Sequence, residues 1–313
     1  MTGRRSIASL VIFVAVAATP ACDQGGAVEE PVAPSLEELS SATYTGIYDE
    51  AVTLVEGRWE GEPFVEGGAS RPSAGLVDHF ALIGDLDGDG REETTVLLWE
   101  SSGGSGTRLY LAAMGRSHDD LEDLGTALVG DRVQVYSGRI ADGRIELEVV
   151  QAGPGDAMCC PSQLATRGWT LGEDGLVEGE TTITGTLSLD SLGGPEWVLS
   201  ELGWGKPVSD TAEITISFDD DKVTGSGGCN RYFAAVAGDT PGQLAFAGMG
   251  TTRMACPEST MGLERNYLKT LSGASRYSFL GGRLVLSCDT DDGPIALIFT
   301  PREVSSGVPG SSG

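Results

Sequence analysis

Residues 225–233 read GSGGCNRYF, and the role of the cysteine among them decides how this part of the chain folds. Gly227 and Gly228 suit a place where one backbone passes close to another, and Asn230 suits a side chain that hydrogen-bonds a turn. Cys229 itself admits four readings: nucleophile, metal ligand, half of a disulfide, or a fixed point in a β-fold. A catalytic thiol needs a base, usually histidine, and a group that lowers its pKa. The histidines are His79 and His118, both far upstream, so a Cys–His pair would need a site built between the two halves of the chain. Tetrahedral zinc fares no better, since no CxxC pair is present and histidines are too few. A structural cysteine remains. In an exported chain Cys229 is expected to bond Cys256, drawing the glycine-rich strand end against a helix start; the alternative pairs one of the two with Cys288. Closing the loop between Cys229 and Cys256 would contribute about 3 kcal/mol by limiting the unfolded chain.

The flanking sequence is strand-rich. EITISF (213–218) places Ile214, Ile216 and Phe218 on one face. RYSFL and RLVLS (276–287) flank Gly281-Gly282, a two-residue turn that permits positive φ twice, and PIALIFT (294–300) reads as a buried strand. Between them CPESTMGLERNYLKTLSGAS (256–275) predicts one helix. Pro257 suits the first helical position and Glu258 the positive end of the dipole. Met261, Leu268 and Leu271 share a face, and Gly273 suits the C-terminal cap. Upstream, TTVLLW (94–99), RLYLAAM (108–114), DRVQVYSGRI (131–140) and RIELEVVQ (144–151) carry strand character, the last two joined as a hairpin at ADG (141–143). A weak helix signal lies in SLEELSSATY near residue 40. The expected class is mainly β, a β-rich α+β chain of two domains. Its C-terminal domain is an antiparallel β-structure with one packed helix.

WVLSELG, VTGSGGCNRYFAAV, MGTTRMACPESTMGLERNYLKTL, RLVLS and ALIFTP occur in that order over residues 193–302. This segment resembles the META domain, the HslJ-like family of heat-inducible bacterial envelope proteins. The resemblance implies a compact β-fold with a helix, usually exported, and implies no reaction and no catalytic residues. The N-terminal half, with GDLDGDG, GGSGT, GDRV and CCPS, is similar to a domain that often precedes META domains in bacterial lipoproteins.

The start of the chain predicts an address. Arg4 and Arg5 precede the apolar run SIASLVIFVAVAA and then TPAC, the order of a secretory signal too short to span a bilayer comfortably. Cys22 after Ala21 resembles the lipidated cysteine of a bacterial lipobox, with Thr19 where that motif usually carries Leu. Residues 1–21 are thus expected to be a lipoprotein signal peptide and 22–42 an acidic flexible tether. An N-terminal β-rich domain is expected over 43–180, a linker over 181–192, the META domain over 193–302 and a frayed tail over 303–313. The expected location is exported and membrane-anchored, in the bacterial cell envelope.

One loop carries cofactor chemistry. In DLDGDGREE (85–93), Asp85, Asp87 and Asp89 alternate so that three carboxylates can converge, Gly90 allows a sharp turn, Arg91 offers a carbonyl, and Glu93 completes a DxDxDGxxE pattern. Val96 stands where an EF-hand needs its twelfth-position glutamate, so the loop is not an EF-hand. It resembles the calcium loop of FG-GAP repeats, and Ca²⁺ is the one cofactor expected; the bland reading is an acidic turn held by Asx hydrogen bonds. The doublet Cys159-Cys160 reads as a vicinal or redox pair, as one partner for a distant cysteine, or as two thiols.

A formal charge of −26 over 313 residues repels nucleic acid and anionic headgroups and favours a cationic ligand or basic envelope protein, or simply solubility. The membrane is a partner only through lipid on Cys22. No HExxH, GxxxxGK[ST] or GxSxG motif is present, and no carboxylate pair stands out, so no catalytic residue is assigned. His79 is expected to half-pack beside a strand and His118 to be solvated; Tyr232, Phe233 and Trp204 are the candidate exposed aromatics. The expected function is a non-catalytic binding or stress-related envelope module. The alternatives are a calcium-dependent structural protein and a hydrolase with an unrecognised carboxylate site.

Overall fold

The computed structural model describes residues 32–302 apart from 105, 119, 158 and 209–211. The signal segment, Cys22 and the residues from 303 onward therefore lie outside the described residues.

A single helical turn, α1 (Leu36–Leu39), comes first, followed by short strands β1 (Thr43–Tyr44), β2 (Val52–Thr53) and β3 (Arg58–Glu60). The long strands β4 (Ser73–Gly84), β5 (Glu93–Ser101), β6 (Arg108–Ser117) and β7 (Asp120–Asp131) form with β3 an antiparallel sheet in the order β3-β4-β5-β6-β7. A second sheet holds β8 (Gln134–Ala141), β9 (Arg144–Gln151), β10 (Gln163–Gly172), β11 (Gly175–Glu178) and β12 (Thr182–Thr186), with β12 also paired to β10.

The run TTVLLW is apolar at consecutive positions because β5 is covered on both faces. Leu97 on one face joins Leu109, Leu111 and Ala113 in packing on the second sheet, against Val135, Leu147, Val149 and Trp169. Val96 and Leu98 on the other face meet Leu39, Tyr44, Val52 and Leu54 from the start of the chain. That second contact corrects the expected tether: residues 36–42 are not a spacer but part of the cover. Ser35 caps α1 through Glu38, which also takes an ion pair from Arg116 at 2.6 Å. Arg116 and the Ser35 contacts hold the Glu38 carboxyl down at about 2. Leu39, wholly buried, alone contributes about 1.5–3 kcal/mol to the docking of this segment. The expected linker is likewise structured, since β12 lies within it and Leu187 and Leu192 are buried.

The C-terminal part runs β13 (Trp197–Leu202), β14 (Thr215–Asp219), β15 (Lys222–Ser226), β16 (Arg231–Ala237), β17 (Ala245–Thr251), α2 (Glu258–Leu271), β18 (Ala274–Leu280), β19 (Arg283–Thr290) and β20 (Gly293–Pro301). All eight strands form one antiparallel sheet, β17-β16-β15-β14-β13-β20-β19-β18. The sheet curls until its outer strands approach, with Leu244 donating to the Ser275 carbonyl at 3.2 Å and Tyr277 to that of Gly242 at 2.9 Å. Ile214, Ile216 and Phe218 point inward as their alternation requires, and Tyr267 and Leu271 of α2 fill the same core. Two helix expectations shift: Pro257 is the N-cap residue and not the first helical one, and Gly273 does not take the left-handed cap conformation but passes close to the Asp289 carbonyl.

The two parts touch along a continuous seam. The turn between β18 and β19 has φ of 53° at Gly281 and 78° at Gly282, and a side chain at 281 would meet Val77 at 2.8 Å. Gly282 donates to the Val135 carbonyl at 3.0 Å, Phe279 donates to Gln134 Oε1 at 3.0 Å, and Tyr136 packs its ring on Phe279.

Candidate functional site

The end of β15 and the start of β16 place GSGGCNRYF against the first half of α2. Cys229 and Cys256 lie at disulfide distance, with Cα atoms 6.0 Å apart. Beneath them sits Glu264, 8% exposed, whose carboxylate accepts from Asn230 N at 2.5 Å, Asn230 Nδ2 at 2.8 Å and Cys229 N at 3.2 Å. Asn230 Oδ1 in turn accepts from Met254 N at 2.7 Å and Thr252 Oγ1 at 3.0 Å. Gly227 is required by contact, because a Cβ there would meet the Glu264 side chain at 2.8 Å. The polar groups of the stretch are therefore spent on holding a strand end to a helix. Glu264 was missed in the sequence, although it carries a signal: an acid at position 264 interrupts the apolar stripe of Met261, Leu268 and Leu271.

Strand geometry separates the aromatic pair. Tyr232 faces inward, 2% exposed, and donates to the Thr215 carbonyl at 2.9 Å while its hydroxyl meets that of Tyr267 at 2.7 Å; it is a core residue and not an exposed aromatic. Phe233 faces outward, 60% exposed, with its ring over Gly250. Phe233 borders a groove of about 540 Å³ on the outer face of β14–β16. At its end Arg302 bridges Glu196 (2.6 Å) and Glu213 (2.7 Å), a pair of contacts that lowers the Glu213 pKa and raises that of the arginine. Trp204, 59% exposed, stands elsewhere, on the turn after β13.

The aspartate loop joins β4 to β5. One carboxylate oxygen from each of Asp85, Asp87 and Asp89 lies within 4.8 Å of the others. Asp85 accepts from Gly88 N and Gly90 N, and Asp87 from Asp89 N. The remaining two residues of the sequence pattern do other work. The Arg91 guanidinium pairs with the Asp89 carboxylate, holding it below the usual range, while Glu93 turns inward to accept from Leu86 N at 2.7 Å. Burial raises the Glu93 pKa, and the neighbouring aspartates add to the rise. Three hard carboxylates fit calcium in donor type. Glu93 does not converge with them.

Cys159 and Cys160 also lie at bonding distance, on a surface loop where Arg276 Nη2 donates to Cys160 Sγ at 3.2 Å. Cys288 is a buried thiol on β19, and burial pushes it up to about 12, so it stays protonated and inert at neutral pH. His79 does not half-pack: it is exposed in the bulge of β4, with φ of 63°, and His118 is exposed beyond β6.

A curled antiparallel sheet, filled by one helix and pinned to it at a Gly-Gly-Cys-Asn turn, defines a small disulfide-braced β-domain. Residues 190–299 match the META domain family, so the C-terminal part of this chain is a META domain. Two solved structures are similar to part of this chain. One, described as "NMR structure of the protein", is 24% identical over 36% of this chain and 94% of its own, with a TM-score of 0.31. The other, an NMR structure of a protein from Burkholderia xenovorans, is 26% identical over 36% of this chain and 85% of its own, with a TM-score of 0.29. No curated protein matches the chain. Among the described residues, no helix is long and apolar enough to cross a membrane.

Proposed function

We propose that this chain is a lipoprotein of the bacterial cell envelope, anchored through Cys22, whose β-rich body binds a basic partner and turns over no substrate. One observation carries the non-catalytic reading: Cys229, Asn230 and Glu264 saturate one another, so the signature residues of the domain serve as a clasp. The charge of −26 supplies the attraction for a basic partner segment, over a range set by a Debye length of about 8 Å at physiological salt. Phe233, exposed beside the Arg302 ion cluster, offers an apolar contact at the same face.

The tether is tested by growing cells with an alkyne-bearing fatty acid. The wild-type chain is expected to take the label and sediment with membranes, and Cys22→Ser to lose both; an unlabelled, soluble wild-type chain would remove the anchor from this reading. For the partner, capture from envelope extracts is expected to weaken steeply with salt and to be lost in Phe233→Ser. Salt-independent capture, or hydrolysis of any member of a broad substrate panel, speaks against it.

The convergence of Asp85, Asp87 and Asp89 favours a second, compatible role, a calcium ion that holds the β4–β5 loop. Titrating calcium into chelator-treated protein is expected to release heat and raise the melting temperature, with a Kd in the range of about 10⁻⁴–10⁻³ M common to extracellular sites. Asp87→Ala is expected to abolish both signals. An unresponsive wild-type protein, or an Asp87→Ala variant that responds like it, would leave the loop as an Asx-bonded turn.

A further inference from the structure

A cleft of about 610 Å³ opens on the seam between the two parts, where β3–β5 face β13, β18 and β19. Its volume lies within the roughly 300–1,000 Å³ typical of small-molecule sites, and such sites favour junctions of this kind. It shares no residue with the Phe233 groove.

The lining is built from both parts of the chain. Trp99, on β5, lies half-buried beneath the guanidinium of Arg58, which stands 5.7 Å from the ring centroid. Trp204 projects from the opposite wall on a turn that Glu201 fixes, through a hydrogen bond from Gly205 N at 2.7 Å. The same carboxylate accepts from Arg283 Nη1 at 3.1 Å. Arg283 is 3% exposed, and its Nε, although buried, has no hydrogen-bond partner. A buried donor without a partner is costly and calls for an explanation. Arg58 forms no ion pair within 4.0 Å among the described residues, so its guanidinium is open to a ligand. Asp78, exposed, adds an acceptor at the rim.

These groups select a ligand by chemistry. The exposed indole of Trp204 asks for a flat apolar face, since Arg58 already covers that of Trp99. Arg283 is buried and held by Glu201, so the exposed guanidinium of Arg58 is the one that favours a carboxylate, which arginine binds in a planar, two-pronged manner. Asp78 and the remaining lone pairs of Glu201 ask for donors, which hydroxyl groups supply. A pyranose ring with a carboxylate has all three features, whereas an aryl acid lacks the hydroxyls and a neutral sugar the charge. We propose that the cleft binds an acidic saccharide, with a ring stacked on Trp204 and its carboxylate on Arg58.

The test titrates the full-length chain in detergent with a galacturonic acid tetrasaccharide, with cellotetraose as the neutral control and with benzoate as the aryl acid. Tryptophan fluorescence and calorimetry provide the readouts. Saturable binding of the acidic tetrasaccharide is expected, with each of the surface variants Trp204→Ala and Arg58→Gln weakening it about tenfold, the equivalent of one well-made contact. Unchanged melting temperatures would show that the variants remain folded. Absence of saturation up to about 10 mM, a scale that corresponds to less than about 2.7 kcal/mol of binding, would overturn the proposal. So would equal binding of cellotetraose, tighter binding of benzoate, or indifference to both substitutions. Neither anchoring through Cys22 nor capture of a basic partner enters these readouts, so failure here is separable from failure of the envelope reading.

Discussion

Glu264→Ala is expected to destabilise the META domain by about 3–5 kcal/mol, since it leaves three N–H donors without an acceptor at about 1–3 kcal/mol each. Three N–H groups converge on that carboxylate, two of them from Asn230. Truncation leaves them without an acceptor at a site that is nearly closed to water, and it opens a void against Gly227. The damage is also long-range in sequence, because Glu264 is the polar link between α2 and the β15–β16 turn. Urea unfolding followed by tryptophan fluorescence and circular dichroism provides the measurement. The midpoint should fall by about 1–3 M with the slope unchanged. Glu264→Gln, which keeps the size and one acceptor oxygen, should cost less than Ala. In a double-mutant cycle with Asn230→Ala the losses should fall short of additive, since both variants break the bond from Asn230 Nδ2 to Glu264. A loss below about 0.5 kcal/mol in Glu264→Ala, the level of an ordinary surface substitution, would show that the clasp is not what holds the helix.

The C-terminal fold was legible in the sequence wherever a local period carried the information. Ile214, Ile216 and Phe218 gave their face directly, and Gly281-Gly282 marked a turn that the positive φ values realise. The split between Tyr232 and Phe233 was misread, both being taken as exposed, although adjacent strand residues must point to opposite faces. Strand order was not. β13 pairs with β20 across about a hundred residues, and nothing local in either strand specifies that partner. The misread tether has a different cause. Its acidic composition was weighed as a whole, while Leu36 and Leu39 were too few to show a period in one helical turn. A clue lay instead in β5, whose unbroken apolar run implied a cover on both faces. For the aspartate loop, spacing indicated which carboxylates could meet but not that Arg91 and Glu93 would turn to other partners. The cleft of Arg58, Trp99, Trp204 and Arg283 had no sequence signature, because its residues are assembled only by the packing of separate sheets.

Replacing both Cys229 and Cys256 by alanine is expected to cost about 3–4 kcal/mol, the chain-entropy value for a closed loop of this length. The loop spans 27 residues of sequence separation and contains β16, β17 and the approach to α2, so opening it frees much of one side of the sheet in the unfolded state. The native state should change little, because Glu264 and Asn230 still hold the turn to the helix. Stability should therefore fall while the near-ultraviolet spectrum stays native. Combining the alanine pair with Glu264→Ala removes both the covalent and the hydrogen-bonded link, and the domain should then no longer fold cooperatively. Thiol counting supplies an independent check. The oxidised native chain should leave Cys288 unreactive, since its thiol is buried and pushed up to about 12, and denaturant should expose it. A non-reducing peptide map should join the peptide of Cys229 to that of Cys256. A map joining either of them to Cys288 would break the brace at its root, because Cys288 is a free thiol buried in the core of this fold.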